Sequence, residues 1–350
     1  MIDNYKTRHY YGFDFLKAVG CFLILFHHYV DDTGVDWPGS NIHLGYIVEM
    51  FFIISGILSY KYVNGIEQDT PIGRILIRKY LRFLPMLLSG GIVCGILDYI
   101  YDVTLNGRVW GYSTQTVVFS LFGVSRWFSE DYMLNNPVWY ISVLLLVYVV
   151  FFAATKLSKK AGINPVIVYV VLFVAGNVLR FMAGKGYISG PFLGVSIGRG
   201  LIGFFEGILL WSVVERFGLR ERKEATIVAG LIGVATITVF IVYPGFAEVG
   251  EYYKLLLILF PALAVFFGGF MFDNVPENVF TKNISKASYY FYIWHYPVIM
   301  VFFVLDAKVG VNFADVTVFA GTFVGTLLLS IIMTCTSMAV IHKRKNTMQM

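Results

Sequence analysis

Charge is scarce in this sequence. Only 14% of its 350 residues are Asp, Glu, Lys or Arg, against 57% apolar residues and a mean hydropathy of +0.71. Soluble domains carry about 25% charged residues, so a soluble fold is excluded and a chain dissolved in a bilayer is indicated. Cysteine is scarce too. Cys21, Cys94 and Cys335 are odd in number, far apart and set in apolar stretches, which leaves neither a disulfide framework nor a metal-ligand spacing. There is no internal repeat and no low-complexity segment. The net charge of +5 comes from basic residues scattered over short segments, which excludes a nucleic-acid surface. The first apolar segment is not a cleavable leader either, because Asp14 and Lys17 interrupt it.

What the sequence has is apolar runs of spanning length from end to end. They predict an all-α, polytopic membrane protein forming a single transmembrane domain over 1–350, with about ten spans: 12–30, 43–60, 83–101, 138–155, 164–182, 192–214, 225–243, 252–272, 288–305 and 315–341. With the N-terminus inside, 19 of the 27 Lys and Arg fall in inner segments. The positive-inside rule then places both termini in the cytoplasm.

The first span carries the strongest signal. Lys17 and His28 lie eleven residues apart, about 20° short of or past three full turns, and so share one helix face roughly 16 Å apart along the axis. Asp14 falls within about 40° of the same face, whereas His27 is rotated from Lys17 by about 80°. Ionisable groups inside a span are costly and by default face protein or water.

Other positions carry two readings each. Glu49, near the outer surface, is either a solvated helix-end acid or the carboxylate that orients the His28 imidazole. Ser55-Gly56 reads first as tight helix packing through small residues. Arg74, Arg78 and Arg82, with Lys79 beside them, form the most basic stretch. They either set topology and attract anionic lipid heads or dock a polyanionic cytosolic ligand. The longest outer segment, Asp102 to Pro137, contains a short apolar piece, Val117 to Val124, which is re-entrant or interfacial. The aromatics, carboxylates and amides that follow, including Trp127, Asn136 and Trp139, suit a carbohydrate or an interfacial aromatic belt. Arg199 and Glu206, two turns apart, read as a buried pair or as site residues. His295 is either a packing residue or part of a site.

Several blocks together resemble one family. Asp14-Phe-Leu-Lys17 followed by His28 is similar to the first helix of the acyltransferase-3 family of integral-membrane O-acyltransferases. There Asp-Gly-Leu-Arg usually precedes a histidine eleven positions after the Arg. The resemblance continues through Glu49-Met-Phe-Phe-Ile-Ile-Ser55-Gly56, Arg78-Lys79-Tyr-Leu-Arg82-Phe-Leu-Pro85, Asn136-Pro137-Val-Trp139-Tyr140-Ile-Ser142 and Ile293-Trp294-His295-Tyr296-Pro297, in family order. Lys17 and Lys79 stand where Arg is commoner, and Leu144 where many members have an acid.

The resemblance implies an O-acyltransferase of the polysaccharide type, without an extra soluble transferase domain, multi-pass in a bacterial plasma membrane. It would move an acyl group, acetyl first among them, from cytosolic acyl-CoA to a hydroxyl of an extracytoplasmic or lipid-linked glycan. Acetyl-CoA is then a co-substrate and no cofactor is bound. The partners are acyl-CoA, the glycan acceptor and membrane lipid, with no nucleic acid and no metal. By the same resemblance His28 is the general base with Glu49 beside it. Asp14, Lys17, Arg78, Lys79 and Arg82 hold the donor, and Trp127, Asn136, Trp139 and His295 meet the acceptor. Two other classes fit less. A transporter or flippase of a lipid-linked sugar would use intramembrane charge, but paired halves with interrupted helices are not evident. A membrane sensor leaves the stacked ionisable groups unexplained.

Overall fold

The computed structural model describes residues 10–37, 44–66, 70–131, 133–219, 222–242, 249–269 and 279–348. Among them every regular element is helical: α1 (Tyr11–Thr33), α2 (Ile47–Ser59), α3 (Lys61–Gly65), α4 (Ile72–Tyr99), α5 (Thr114–Leu121), α6 (Trp139–Lys160), α7 (Pro165–Gly184), α8 (Val195–Arg216), α9 (Lys223–Val242), α10 (Val249–Gly269), α11 (Val279–Val309) and α12 (Val316–Met348). The protein is an all-α, polytopic membrane protein. Eight segments among the described residues are long and apolar enough to cross a bilayer. The two further expected spans, 225–243 and 252–272, coincide with α9 and α10 and run partly into residues outside the described set.

The helices sort by what they face. On α7, Ile167, Val171, Val174 and Val178 form a stripe at helical spacing with exposures of 52–59%. In water such a stripe would be an aggregation site; in a bilayer it is the ordinary lipid-facing surface. Phe15, Val19 and Phe22 mark the lipid side of α1, while Phe13, Leu16, Ile24 and Leu25 are buried on its other side. The centre of the bundle is α1, α2, α6, α8 and α11, around Phe52, Phe151, Phe204, Phe205 and Ile293, all fully buried.

Two of these helices touch through their backbones. A Cβ on Gly56 of α2 would stand 2.0 Å from the Phe204 carbonyl oxygen, and one on Gly207 of α8 would stand 2.1 Å from the Ile53 carbonyl oxygen. Glycine at both places lets α2 and α8 run side by side in van der Waals contact. The packing reading of Gly56 thus accounts for the glycine, while Ser55 faces another way. That contact also sets the relative height of Glu49 and Arg199.

Two boundaries differ from the sequence reading. The third span was expected from residue 83, yet α4 begins at Ile72 and continues through Pro85. Proline removes one N–H and clashes with the preceding turn, but within a membrane bundle neighbouring groups tolerate that loss. The basic stretch is therefore the first turns of the spanning helix itself. For the same reason α11 begins at Val279 and carries Pro297 in its interior.

Candidate active site

At its C-terminal end, expected to be the outer one, α1 opens on a cavity of about 340 Å³. His27, His28, Asp31, Tyr46, Arg126, Asn136, Trp139, Ser196, Arg199 and Tyr292 are among the residues lining it. The His28 side chain is 13% exposed, with Nδ1 3.9 Å from Asp32 Oδ2. That distance is beyond a hydrogen bond but within reach for stabilising an imidazolium. Asp32 lies four residues after His28 on the same helix, so the pairing is local and belongs to the face both share. Behind the ring stands His295, fully buried, with ring centroids 5.5 Å apart, and Tyr296 at 5.8 Å. His295 Nδ1 lies 2.7 Å from the Tyr292 carbonyl oxygen. A carbonyl only accepts, so the proton of a neutral His295 sits on Nδ1 and Nε2 keeps its lone pair. That Nε2 has no hydrogen-bond partner among the described residues.

His27 also lines the cavity, on a different wall. A Cβ on Gly45 would stand 2.7 Å from His27 Nε2, so the segment entering α2 passes directly over this ring. Although adjacent helical positions leave the axis about 100° apart, the two imidazoles converge on the cavity, their ring centroids 5.2 Å apart.

Glu49 does not orient His28. Its carboxylate, 2% exposed, accepts two hydrogen bonds from Arg199, at 2.5 Å from Nε and 2.8 Å from Nη2. This is the bidentate geometry that a planar guanidinium favours. Arg199 is further held between Trp139 (4.7 Å) and Tyr46 (5.1 Å) as a cation over their rings. The carboxylate beside His28 is Asp32 instead. Glu206, expected to share the pair with Arg199, lies two turns deeper on α8, and its Oε2 has no hydrogen-bond partner among the described residues.

The outer segment is latched to α8 by a second carboxylate. Glu130 accepts from the Ser196 backbone N–H at 2.9 Å and from its hydroxyl at 2.5 Å, satisfying donors at the start of α8. Arg126 Nη1 donates to Glu130 Oε2 at 3.2 Å. Both arginines of the cavity are therefore matched by a carboxylate, Arg126 by Glu130 and Arg199 by Glu49.

The expected acceptor residues divide. Asn136 and Trp139 line the cavity, and Asn136 Oδ1 has no hydrogen-bond partner among the described residues. Trp127 does not line it: its indole N–H donates to the Ser142 carbonyl at 2.7 Å and its ring stands against Phe192. His295 lies behind the cavity wall rather than on it.

The expected donor residues lie away from this cavity, at the opposite end of the bundle. Lys17 Nζ donates to Asp14 Oδ1 at 2.8 Å and to Ser285 Oγ at 3.3 Å. Lys79 sits over the Tyr148 ring at 4.0 Å and the Tyr62 ring at 5.3 Å. Arg74, Arg78 and Arg82 are exposed along α4.

The sequence profile of the acyltransferase-3 family, described as an acyltransferase domain, matches residues 10–335. No curated protein and no solved structure matches the chain.

Proposed function

Because the chain belongs to the acyltransferase-3 family and is a multi-pass membrane acyltransferase, we propose that it transfers an acyl group, acetyl by preference, from cytosolic acyl-CoA to a hydroxyl of a glycan at the outer face of a bacterial cell membrane. Family membership replaces the permease reading. The observation that carries the proposal is the layout along α1. His28 opens on the outer cavity, and Lys17 lies three turns deeper on the same face, near the level of Lys79.

In this reading the acceptor hydroxyl enters the outer cavity and gives its proton to the unprotonated nitrogen of His28. The oxygen attacks the thioester carbonyl, the carbon–sulfur bond breaks, and the thiolate takes the proton back from the imidazolium. General-base assistance of this kind contributes roughly 10²–10⁴-fold in rate. Asp32 stabilises the imidazolium while it exists. His295 holds His28 by ring contact and by its fixed tautomer. Since each guanidinium of the cavity already has its carboxylate, the lining suits an uncharged polyhydroxylated acceptor, with Trp139 and Tyr46 as ring surfaces and Asn136 Oδ1 as a ready acceptor. At the inner end, Arg78, Arg82 and Lys79 meet the phosphates of the nucleotide, and Lys17, held by Asp14, meets a phosphate.

Binding of acyl-CoA to the purified protein in detergent tests the donor half. Arg78→Ala and Arg82→Ala are each expected to weaken binding about two- to fivefold, as loss of an exposed ionic contact does. Rising salt should weaken the wild type toward the same level. Unchanged affinity in both variants would reduce the basic stretch to a topology signal.

A further inference from the structure

Between the inner cations and the outer histidines the bundle holds a chain of polar side chains, a cluster of hydroxyls first and stacked aromatic rings beyond it. Lys79 lies over the Tyr148 ring at 4.0 Å. The Tyr148 hydroxyl sits beside those of Ser55 and Ser59. Ser55 Oγ is 3.0 Å from the Tyr140 hydroxyl. The Tyr140 and Tyr292 rings are 5.9 Å apart, Tyr292 is 5.8 Å from His295, and His295 is 5.5 Å from His28. Tyr140 and Tyr148 leave α6 roughly 12 Å apart along its axis, but both hydroxyls converge on Ser55, so the three form one cluster between Lys17 and His28.

Many hydroxyls of the bundle are satisfied within their own helix. Ser288, Thr322 and Thr326 donate to carbonyls four residues back on their own helices, which satisfies them with no partner helix. Ser55 and Tyr140 instead face each other across α2 and α6. They also border open space. Phe52, Ile53 and Ile54 on α2 are fully buried, while Ser55 and Tyr140 are only half-buried although they lie deep in the bundle.

We propose that the hydroxyls of Ser55, Tyr140 and Tyr148 form a binding subsite for the two amide groups of the donor's pantetheine arm. This rests on the acyl-CoA reading above and deepens it. An arm drawn from the inner cations toward His28 carries its amides out of water, where each needs a donor and an acceptor. A hydroxyl offers both: one O–H and two lone pairs, so one already engaged with a neighbouring hydroxyl retains capacity for an amide. Three hydroxyls from two helices, gathered around Ser55, match the closely spaced pair of amides in the arm. They also leave the acyl group itself among apolar and aromatic side chains near His28.

The test compares two ligands on the same preparations: acetyl-CoA, and 3′,5′-ADP, which carries the nucleotide end without the arm. In Ser55→Ala and Tyr148→Phe the Kd for acetyl-CoA is expected to rise about five- to tenfold, the usual size of one lost hydrogen bond. The Kd for 3′,5′-ADP should stay within about twofold, because that ligand reaches only the inner cations. Retained 3′,5′-ADP binding also shows that the variant is folded. If Tyr148→Phe fails to fold, Ser55→Ala decides. Acetyl-CoA affinity unchanged in the folded variants overturns the subsite while leaving the donor reading intact. A parallel loss of both ligands overturns it as well, since the hydroxyls would then be structural. A wild type that binds neither ligand overturns the acyl-CoA reading and the subsite with it.

Discussion

Replacing His28 with alanine is expected to lower acyl transfer by about 10²–10⁴-fold while expression, insertion and acyl-CoA affinity remain. The proton moves only in the transition state, so loss of the base falls on turnover and not on donor binding. His27→Ala is the control. Both rings reach the outer cavity, but only His28 has Asp32 four residues on and His295 behind it. His27 lies beneath the passing chain at Gly45. His27→Ala should therefore keep a substantial share of activity. The comparison is made in one transfer assay on the two single variants. Full activity in His28→Ala with none in His27→Ala would assign the base to the other wall.

The second large effect concerns the pair that closes the cavity from α2 and α8. Glu49 is 2% exposed and Arg199 is clamped over Trp139. Removing one partner leaves an uncompensated charge in the bundle, a loss of roughly 3–5 kcal/mol in stability. Glu49→Ala and Arg199→Ala should each destabilise the detergent-solubilised protein strongly. Replacing both together with uncharged residues of similar volume, Glu49→Gln with Arg199→Met, should cost much less than the two single changes combined. Thermal unfolding in detergent measures all three. Strictly additive losses would show that the two groups act independently.

The fold class was legible because it rests on long apolar runs, and the face shared by Lys17 and His28 because helical geometry is local. Asp32 beside His28 was equally local, at a spacing of four, but it stands in an acidic turn-rich stretch that reads as a solvated connection. The partner of Glu49 was not legible: Arg199 lies 150 positions away, and only the glycine contact between α2 and α8 fixes their heights. Its local alternative, Glu206, had the right helical spacing and the wrong neighbour. Trp127 shows the opposite error. Its surroundings look like a sugar platform, yet the Ser142 carbonyl takes its one polar atom. The third span was expected to start at residue 83, just before Pro85, yet α4 runs from Ile72 through that proline. The face a side chain shares along its helix thus survives from the sequence, while the partner it meets does not.

The most direct measurement is sidedness. In inside-out membrane vesicles the expected orientation turns Arg78 and Arg82 to the medium and the His28 cavity to the lumen. Acetyl-CoA labelled in its acetyl group is supplied outside, with the glycan acceptor trapped within. Label is expected to appear on the lumenal glycan while coenzyme A stays in the medium, and the transfer should vanish in His28→Ala. Transfer that requires donor and acceptor on the same face would contradict a reaction carried across the membrane between Lys17 and His28.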